Sequence, residues 1–159
     1  MSIVLIRFYR HCLLFMMFLL PLNVLMASEI ESVIDLRVLS HQSEKASLPV
    51  LLLFSAEDCD YCEAIRQHYL IPMIQSGDYV NKVLFRQVDI DEYSMIRDEK
   101  GRLMGGDQLA LKYDIEVVPT IVFINAQGKE LVERIVGLSG ADYFDYMLDE
   151  KISRLNVVR

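Results

Sequence analysis

The segment VLLLFS, Val50–Ser55, is an unbroken apolar run of strand length. A strand with one wet face alternates polar and apolar residues. A run without alternation suits a strand covered on both faces. Helices must therefore be available for both sides of the sheet that holds it. The rest of the chain supplies them. Ile30, Val33, Ile34, Leu36 and Val38 recur at roughly helical spacing, which predicts a first helix over about 29–42, ended by the polar SEKAS and Pro49. A second helix is expected from near Cys59 to about Gln75, with Pro72 kinking or ending it. KVLFRQVDID, 82–91, reads as the next strand, and EYSMIRDEKGRLMGGD after it reads as a charged, glycine-containing excursion. DQLALKYDI gives a short helix. VVPTIVFIN, 117–125, is a strand opened by a proline, AQGK a turn, and ELVERIVG an alternating strand. A last helix starts near Ser139 or Gly140, with Ser139 and Asp142 at capping distance. Its apolar stripe is Phe144, Met147, Leu148, Ile152 and Leu155.

The first two strands are separated by a helix, so they should lie parallel through a right-handed crossover. The last two are joined by a tight turn and should be antiparallel. The expected fold class is α/β, with a mixed central sheet of about four strands and helices on both faces.

The N-terminus has a different character. Arg7 and Arg10 precede CLLFMMFLL, Cys12–Leu20, and NVLMA ends at Ala27 before Ser28. A basic stretch, a short apolar stretch and a small residue form the pattern of a secretory signal peptide over 1–27. The apolar stretch is shorter than the ~20 residues of a spanning helix. The alternative is an uncleaved signal anchor, and both readings export residues 28–159. A periplasmic or otherwise exported domain follows, membrane-anchored if the segment stays on. Removing it takes Cys12 away and leaves Cys59 and Cys62, in a compartment where disulfides persist. The formal net charge of -7 and the lack of a basic run disfavour nucleic acid as a partner.

Cys59 and Cys62 sit where the apolar strand gives way to a helix. Free N–H groups and a partial positive charge at a helix start both favour a thiolate. Residues three apart on a helix lie on one face with Cβ atoms ~5–6 Å apart. A disulfide needs ~3.5–4.5 Å, so a modest adjustment of the first turn switches bonded and reduced states. Cys59, at the exposed start, is the expected nucleophile that forms a mixed disulfide. Cys62, a turn deeper, is the expected resolving thiol.

Other uses of the pair fare less well. A structural zinc site needs four ligands. Beyond the cysteines the exported part offers His41 and His68, and His68 points away from Cys59 on the same helix. Haem attachment needs a histidine after the second cysteine, where Glu63 stands. A passive cross-link this short constrains the unfolded chain little. Two soft thiols also suit Cu(I), so a copper metallochaperone or assembly factor without redox turnover remains the alternative.

With these residues in view, the chain resembles the thioredoxin superfamily over about Leu48–Lys151. The likeness rests on LLLFSAEDCDYC, QVDID, KYDIEVVPTIVFIN and GKELVERIVGLSGADYFDYML. It implies a thioredoxin-like fold and a thiol–disulfide oxidoreductase that needs no cofactor beyond the Cys59–Cys62 disulfide. It also implies a cis bond before Pro119, facing the cysteines; proline tolerates cis far better than other residues. Val118, Pro119 and Thr120 would then form the substrate-binding edge, the main chain of Val118 pairing with an extended client. Tyr61 would pack beside it or add to it. The leader, the CDYC sequence and the exposed insert at about 92–106 are most similar to exported SoxW-type and thioredoxin-related proteins. That likeness implies client proteins with disulfides and a membrane thiol reductase as electron donor.

The chain departs from the family pattern at informative points. It has no tryptophan, and Asp58 stands before the first cysteine. Leu53 occupies the position of the family's buried aspartate and Gln87 that of its partnering lysine. Glu57 and Asp58 are the candidates to replace that pair as a proton relay. Glu57, Asp58, Asp60 and Glu63 also crowd the pair with like charge, which opposes a thiolate. A strong oxidant needs an exceptionally stable thiolate, so a reductant or moderate exchanger is expected.

Overall fold

The computed structural model describes residues 29–91, 93–138, 140 and 143–155. The proposed leader and the capping pair Ser139 and Asp142 lie outside them. Among the described residues no helix is long and apolar enough to cross a membrane.

Strand β1 (Val50–Ser55) runs through the middle of a four-stranded sheet of order β2-β1-β5-β6, with β2 (Leu84–Asp89), β5 (Thr120–Ile124) and β6 (Glu130–Val136). β1 and β2 are parallel, from Val50 opposite Leu84 to Ser55 opposite Asp89. β5 lies antiparallel to both β1 and β6. Every residue of β1 is buried, because its two faces meet two separate cores. Leu51 and Leu53 join Ile121 and Phe123 against Ile65, Leu70 and the stripe Phe144, Leu148, Ile152 and Leu155. Val50, Leu52 and Phe54 join Val122 and Ile124 against Leu39, Leu109 and Ala110. The helices that supply these contacts are α1 (Leu36–Ala46), α2 (Asp60–Ile65), α3 (Ile71–Ser76), α4 (Gly106–Lys112) and α5 (Phe144–Leu155). The fold is the expected α/β sandwich of a mixed sheet between helical layers.

Three elements differ from expectation. The first helix begins at Leu36, not near Glu29. Residues 31–33 are extended along the open edge of β2 instead. The Val33 N–H donates to the Gln87 carbonyl at 2.8 Å, and the Gln87 N–H donates to the Glu31 carbonyl at 3.0 Å. An edge strand's unpaired backbone recruits this segment and overrides its helical spacing. The helix starts where Asp35 caps it: its carboxylate accepts the Arg37 N–H at 2.9 Å.

The second departure is that Pro72 does not end its helix. A π-helical stretch, Arg66–Leu70, links α2 to α3, and the Ile71 N–H reaches back to the Arg66 carbonyl. The wider turn ahead of Pro72 takes up the register that its missing N–H disturbs. Third, the insert, expected as an exposed excursion with room for a short helical piece, contains a β-hairpin, β3 (Met95–Arg97) with β4 (Leu103–Gly105). The buried carboxylate of Asp98 organises its turn, accepting the N–H groups of Lys100 and Arg102 at 2.8 Å each and Arg102 Nε at 2.8 Å. The hairpin returns the chain to Gly106. A Cβ there would lie 1.9 Å from the Asp89 carbonyl oxygen, so only glycine lets α4 begin against the end of β2.

The Asp35 cap has a testable pH signature. The hydrogen-bonded Arg37 guanidinium holds the Asp35 carboxyl down at about 2. A folded value below the unfolded one gives stability that is complete above the ordinary carboxylate range. It is lost as pH falls through about 2. Asp35→Asn keeps a capping oxygen but removes the charge. Melting temperatures measured from neutral to strongly acid pH should therefore fall less steeply for the variant below the carboxylate range.

Candidate active site

Three residues after β1, the chain turns into α2 at Cys59. The backbone of Cys59 is extended, and its sulfur is the helix cap: Sγ accepts the Cys62 N–H at 3.2 Å. The Glu63 N–H donates to the Cys59 carbonyl at 3.0 Å and closes the first turn. The two sulfurs are joined as a disulfide, with Cα atoms 5.2 Å apart. Cys59 is partly exposed, whereas Cys62 is fully buried. A partner thiol can therefore approach the first sulfur and not the second. Tyr61 stands out into solvent between them, 66% exposed.

The loop that carries Cys59 is tied down from β2. The Glu57 N–H donates to both carboxylate oxygens of Asp91, at 3.2 and 3.0 Å, and the Ile90 N–H donates to the Ser55 carbonyl at 2.9 Å. Register also places the loop ahead of β5. Phe54 pairs with Thr120, so the chain leaving β1 toward Cys59 and the chain entering β5 meet at one end of the sheet. The Val118–Pro119 bond at that entrance is cis. The Pro119 carbonyl accepts the Gly137 N–H at 2.8 Å, and the Thr120 hydroxyl donates to the Val117 carbonyl at 2.8 Å. Pro119 and Thr120 are buried, and Val118 is half-buried. Thr120 thus tightens the loop with its hydroxyl, while Val117, which sequence reasoning passed over, is the exposed apolar residue beside it.

Glu57 and Asp58 are both exposed. Glu57 lines a cavity of about 750 Å³ with Glu63, Arg66, Gln87, Asp89 and Asp91; Asp58 is not on its wall. Leu53 is fully buried and Gln87 nearly so. The floor beneath the helix is neutral at these two positions, and the charge comes from elsewhere. Arg66 Nε donates to Gln87 Oε1 at 3.0 Å, Nη2 donates to Ser55 Oγ at 2.9 Å, and Nη1 pairs with Glu63. Gln87 Nε2 in turn donates to Asp89 at 2.5 Å, and the Ser32 hydroxyl donates to the same carboxylate at 3.0 Å. Of the four acids crowding the cysteines in sequence, Glu63 is therefore matched by a cation. Arg66 escaped sequence reasoning, although its spacing of four from Cys62 marks the same helix side. Among the described residues, no three His, Cys, Asp or Glu side chains are grouped to hold a metal ion.

An accessible sulfur capping a helix, bonded to a buried sulfur one turn in, defines a dithiol–disulfide centre. Carried at the end of a mixed sheet between helical layers, it is a centre of the thioredoxin-like class. Residues 39–152 match the thioredoxin-like domain, and the chain belongs to that family. Solved structures agree on the fold. A poplar thioredoxin h mutant superposes with TM-score 0.57 at 18% identity, covering 85% of this chain and 90% of its own. Mitochondrial thioredoxin 3 from Saccharomyces cerevisiae, in its oxidized form, gives 0.55 at 21%, covering 79% and 95%. Fasciola hepatica thioredoxin gives 0.52 at 22%, covering 79% and 99%. No curated protein matches the chain in sequence.

Proposed function

We propose that this chain is an exported thiol–disulfide oxidoreductase that reduces or exchanges disulfides in client proteins. The observation that carries this is the asymmetry of the pair: a partly exposed Cys59 capping α2 and a buried Cys62 bonded to it. Reduced Cys59 attacks one sulfur of a client disulfide. The Cys59–client bond forms, the client's own S–S bond breaks, and the displaced client thiolate takes up a proton. Cys62 then gives up its proton and attacks Cys59. The Cys59–Cys62 bond forms, and the second client thiolate leaves and is protonated. Two electrons have passed from the dithiol to the client.

The loop at Val118 and Pro119, with exposed Val117 and Tyr61, would receive the client segment, and the main chain of Val118 would pair with it. The basic and apolar pattern of residues 1–27 supports export, by cleavage or as an anchor. SoxW-type and thioredoxin-related proteins supply the functional analogy, with a membrane thiol reductase returning electrons to the pair. Glu57 or Asp58, both exposed, would exchange protons with solvent.

Insulin reduction tests the proposal. The protein with dithiothreitol should precipitate insulin faster than dithiothreitol alone, and Cys59→Ser should abolish the gain. Metal analysis of the same preparation tests the copper alternative: stoichiometric Cu(I) with no turnover would replace the oxidoreductase reading.

A further inference from the structure

The exchange cycle makes an unequal demand on its two thiols. Cys59 sits at the partly exposed helix start, but Cys62 must ionise in a fully buried place. Burial disfavours a thiolate. The strand positions beneath the helix do nothing to offset this, since Leu53 and its register partner Gln87 are uncharged. Arg66 carries the charge that is there. It lies four residues after Cys62, and helix side chains lean toward the N-terminus, back over the preceding turn. Its contacts follow that direction: it reaches Glu63 on its own helix and Ser55 at the end of β1. Bonds to Gln87, Ser55 and Glu63 fix all three guanidinium nitrogens, and the side chain is only 20% exposed. A planar guanidinium held at three points is a fixed charge rather than a mobile one.

Resting on the exchange function proposed above, we infer that Arg66 is a positioning residue for the resolving step. Its charge, one helical turn from Cys62, favours the Cys62 thiolate when the mixed disulfide is resolved. The cation touches neither client nor Cys59. It acts on the thiol that attacks second, and Glu63 tempers it by pairing with it. Among the described residues, the charged groups of 56–60, 89–91 and 115–119 are all acids. They are Glu57, Asp58 and Asp60 on the same segment, Asp89 and Asp91 at the end of β2, and Glu116 just ahead of the Pro119 loop. Each of them opposes ionisation, so the cation's removal leaves the thiol surrounded by like charge.

Reaction of the reduced protein with 5,5′-dithiobis(2-nitrobenzoic acid) separates the two steps. Attack by Cys59 releases one coloured thiolate, and resolution by Cys62 releases a second. Stopped-flow traces across pH should show that Arg66→Gln leaves the first phase within about twofold of wild type. The second phase should slow about tenfold near neutral pH, with its pH midpoint moved up, as loss of a nearby cation requires. Arg66→Lys should restore most of the rate. Glu63→Gln should shift the second-phase midpoint down, the opposite sign, which a merely structural role for the Arg66–Glu63 pair would not produce. An unchanged second phase in Arg66→Gln would overturn the inference. So would equal slowing of both phases, or a Glu63→Gln shift in the same direction as Arg66→Gln. A wild-type protein that gives no second release at all would instead overturn the exchange function itself.

Discussion

Cys62→Ser is expected to leave client proteins covalently attached to Cys59 and to cut turnover at least about a thousandfold. The magnitude follows from geometry. Cys62 lies one helical turn from the sulfur it attacks and is itself fully buried on α2. Well-oriented internal groups act at effective concentrations of about 10⁵ M or more, against millimolar thiol in solution. Serine keeps the size of the side chain but is a far poorer nucleophile, so the mixed disulfide must wait for external thiol. Cys59 remains at the exposed helix start and still attacks. Non-reducing gels of the variant incubated with an extract of exported proteins should show adducts that dissolve on reduction. Cys59→Ser, and the double variant, should show none. Adducts formed equally by Cys59→Ser would reverse the assigned roles.

Phe54→Ala is expected to destabilise the fold by about 3–5 kcal/mol, the usual cost of emptying a fully buried aromatic site. Phe54 is completely buried in the core between the sheet and α1 and α4, with its ring centroid 5.8 Å from that of Tyr113. It also pairs with Thr120, so it fixes the end of β1 against the entrance to β5. Domains of this kind are stable by about 5–15 kcal/mol in total, so the variant should unfold at markedly lower denaturant. The loss should also slow insulin reduction beyond what the unfolded fraction explains, because the same residue spaces the two halves of the site. A change below about 1 kcal/mol, the scale of ordinary surface substitutions, would mean that the core between these layers is not packed as described.

The parts legible in sequence were those set by strong local patterns. An unbroken VLLLFS had to be a doubly covered central strand, and the stripe Phe144, Leu148, Ile152 and Leu155 had to be a helix facing a core. Both are so in the structure. The cysteine pair at the strand-to-helix junction was equally plain. Most of what sequence reasoning missed depended on partners distant in the chain. Residues 31–33 had helical spacing, yet the open edge of β2 draws them into an extended segment. The β3–β4 hairpin has only three-residue strands, too short to show alternation, and it is held by Asp98, a buried carboxylate whose partners are in its own turn. Burial pushes that carboxyl up, but the hydrogen bonds from Arg102 and Lys100 outweigh it and hold it below the usual range. Arg66, like residues 31–33, was hidden by distant partners: Ser55 and Gln87 lie 11 and 21 residues away. Counting Glu63 as an unopposed negative charge was therefore an overestimate.

Equilibration of the protein with reduced and oxidised glutathione, read by alkylating the thiols at each ratio, tests the electron-carrying role most directly. Cys59 and Cys62 should convert together and reversibly, with a midpoint at about -180 mV or lower, as suits a reductant or moderate exchanger. A pair that fails to exchange with glutathione at all would contradict that role; a midpoint near about -120 mV would contradict the direction of flow.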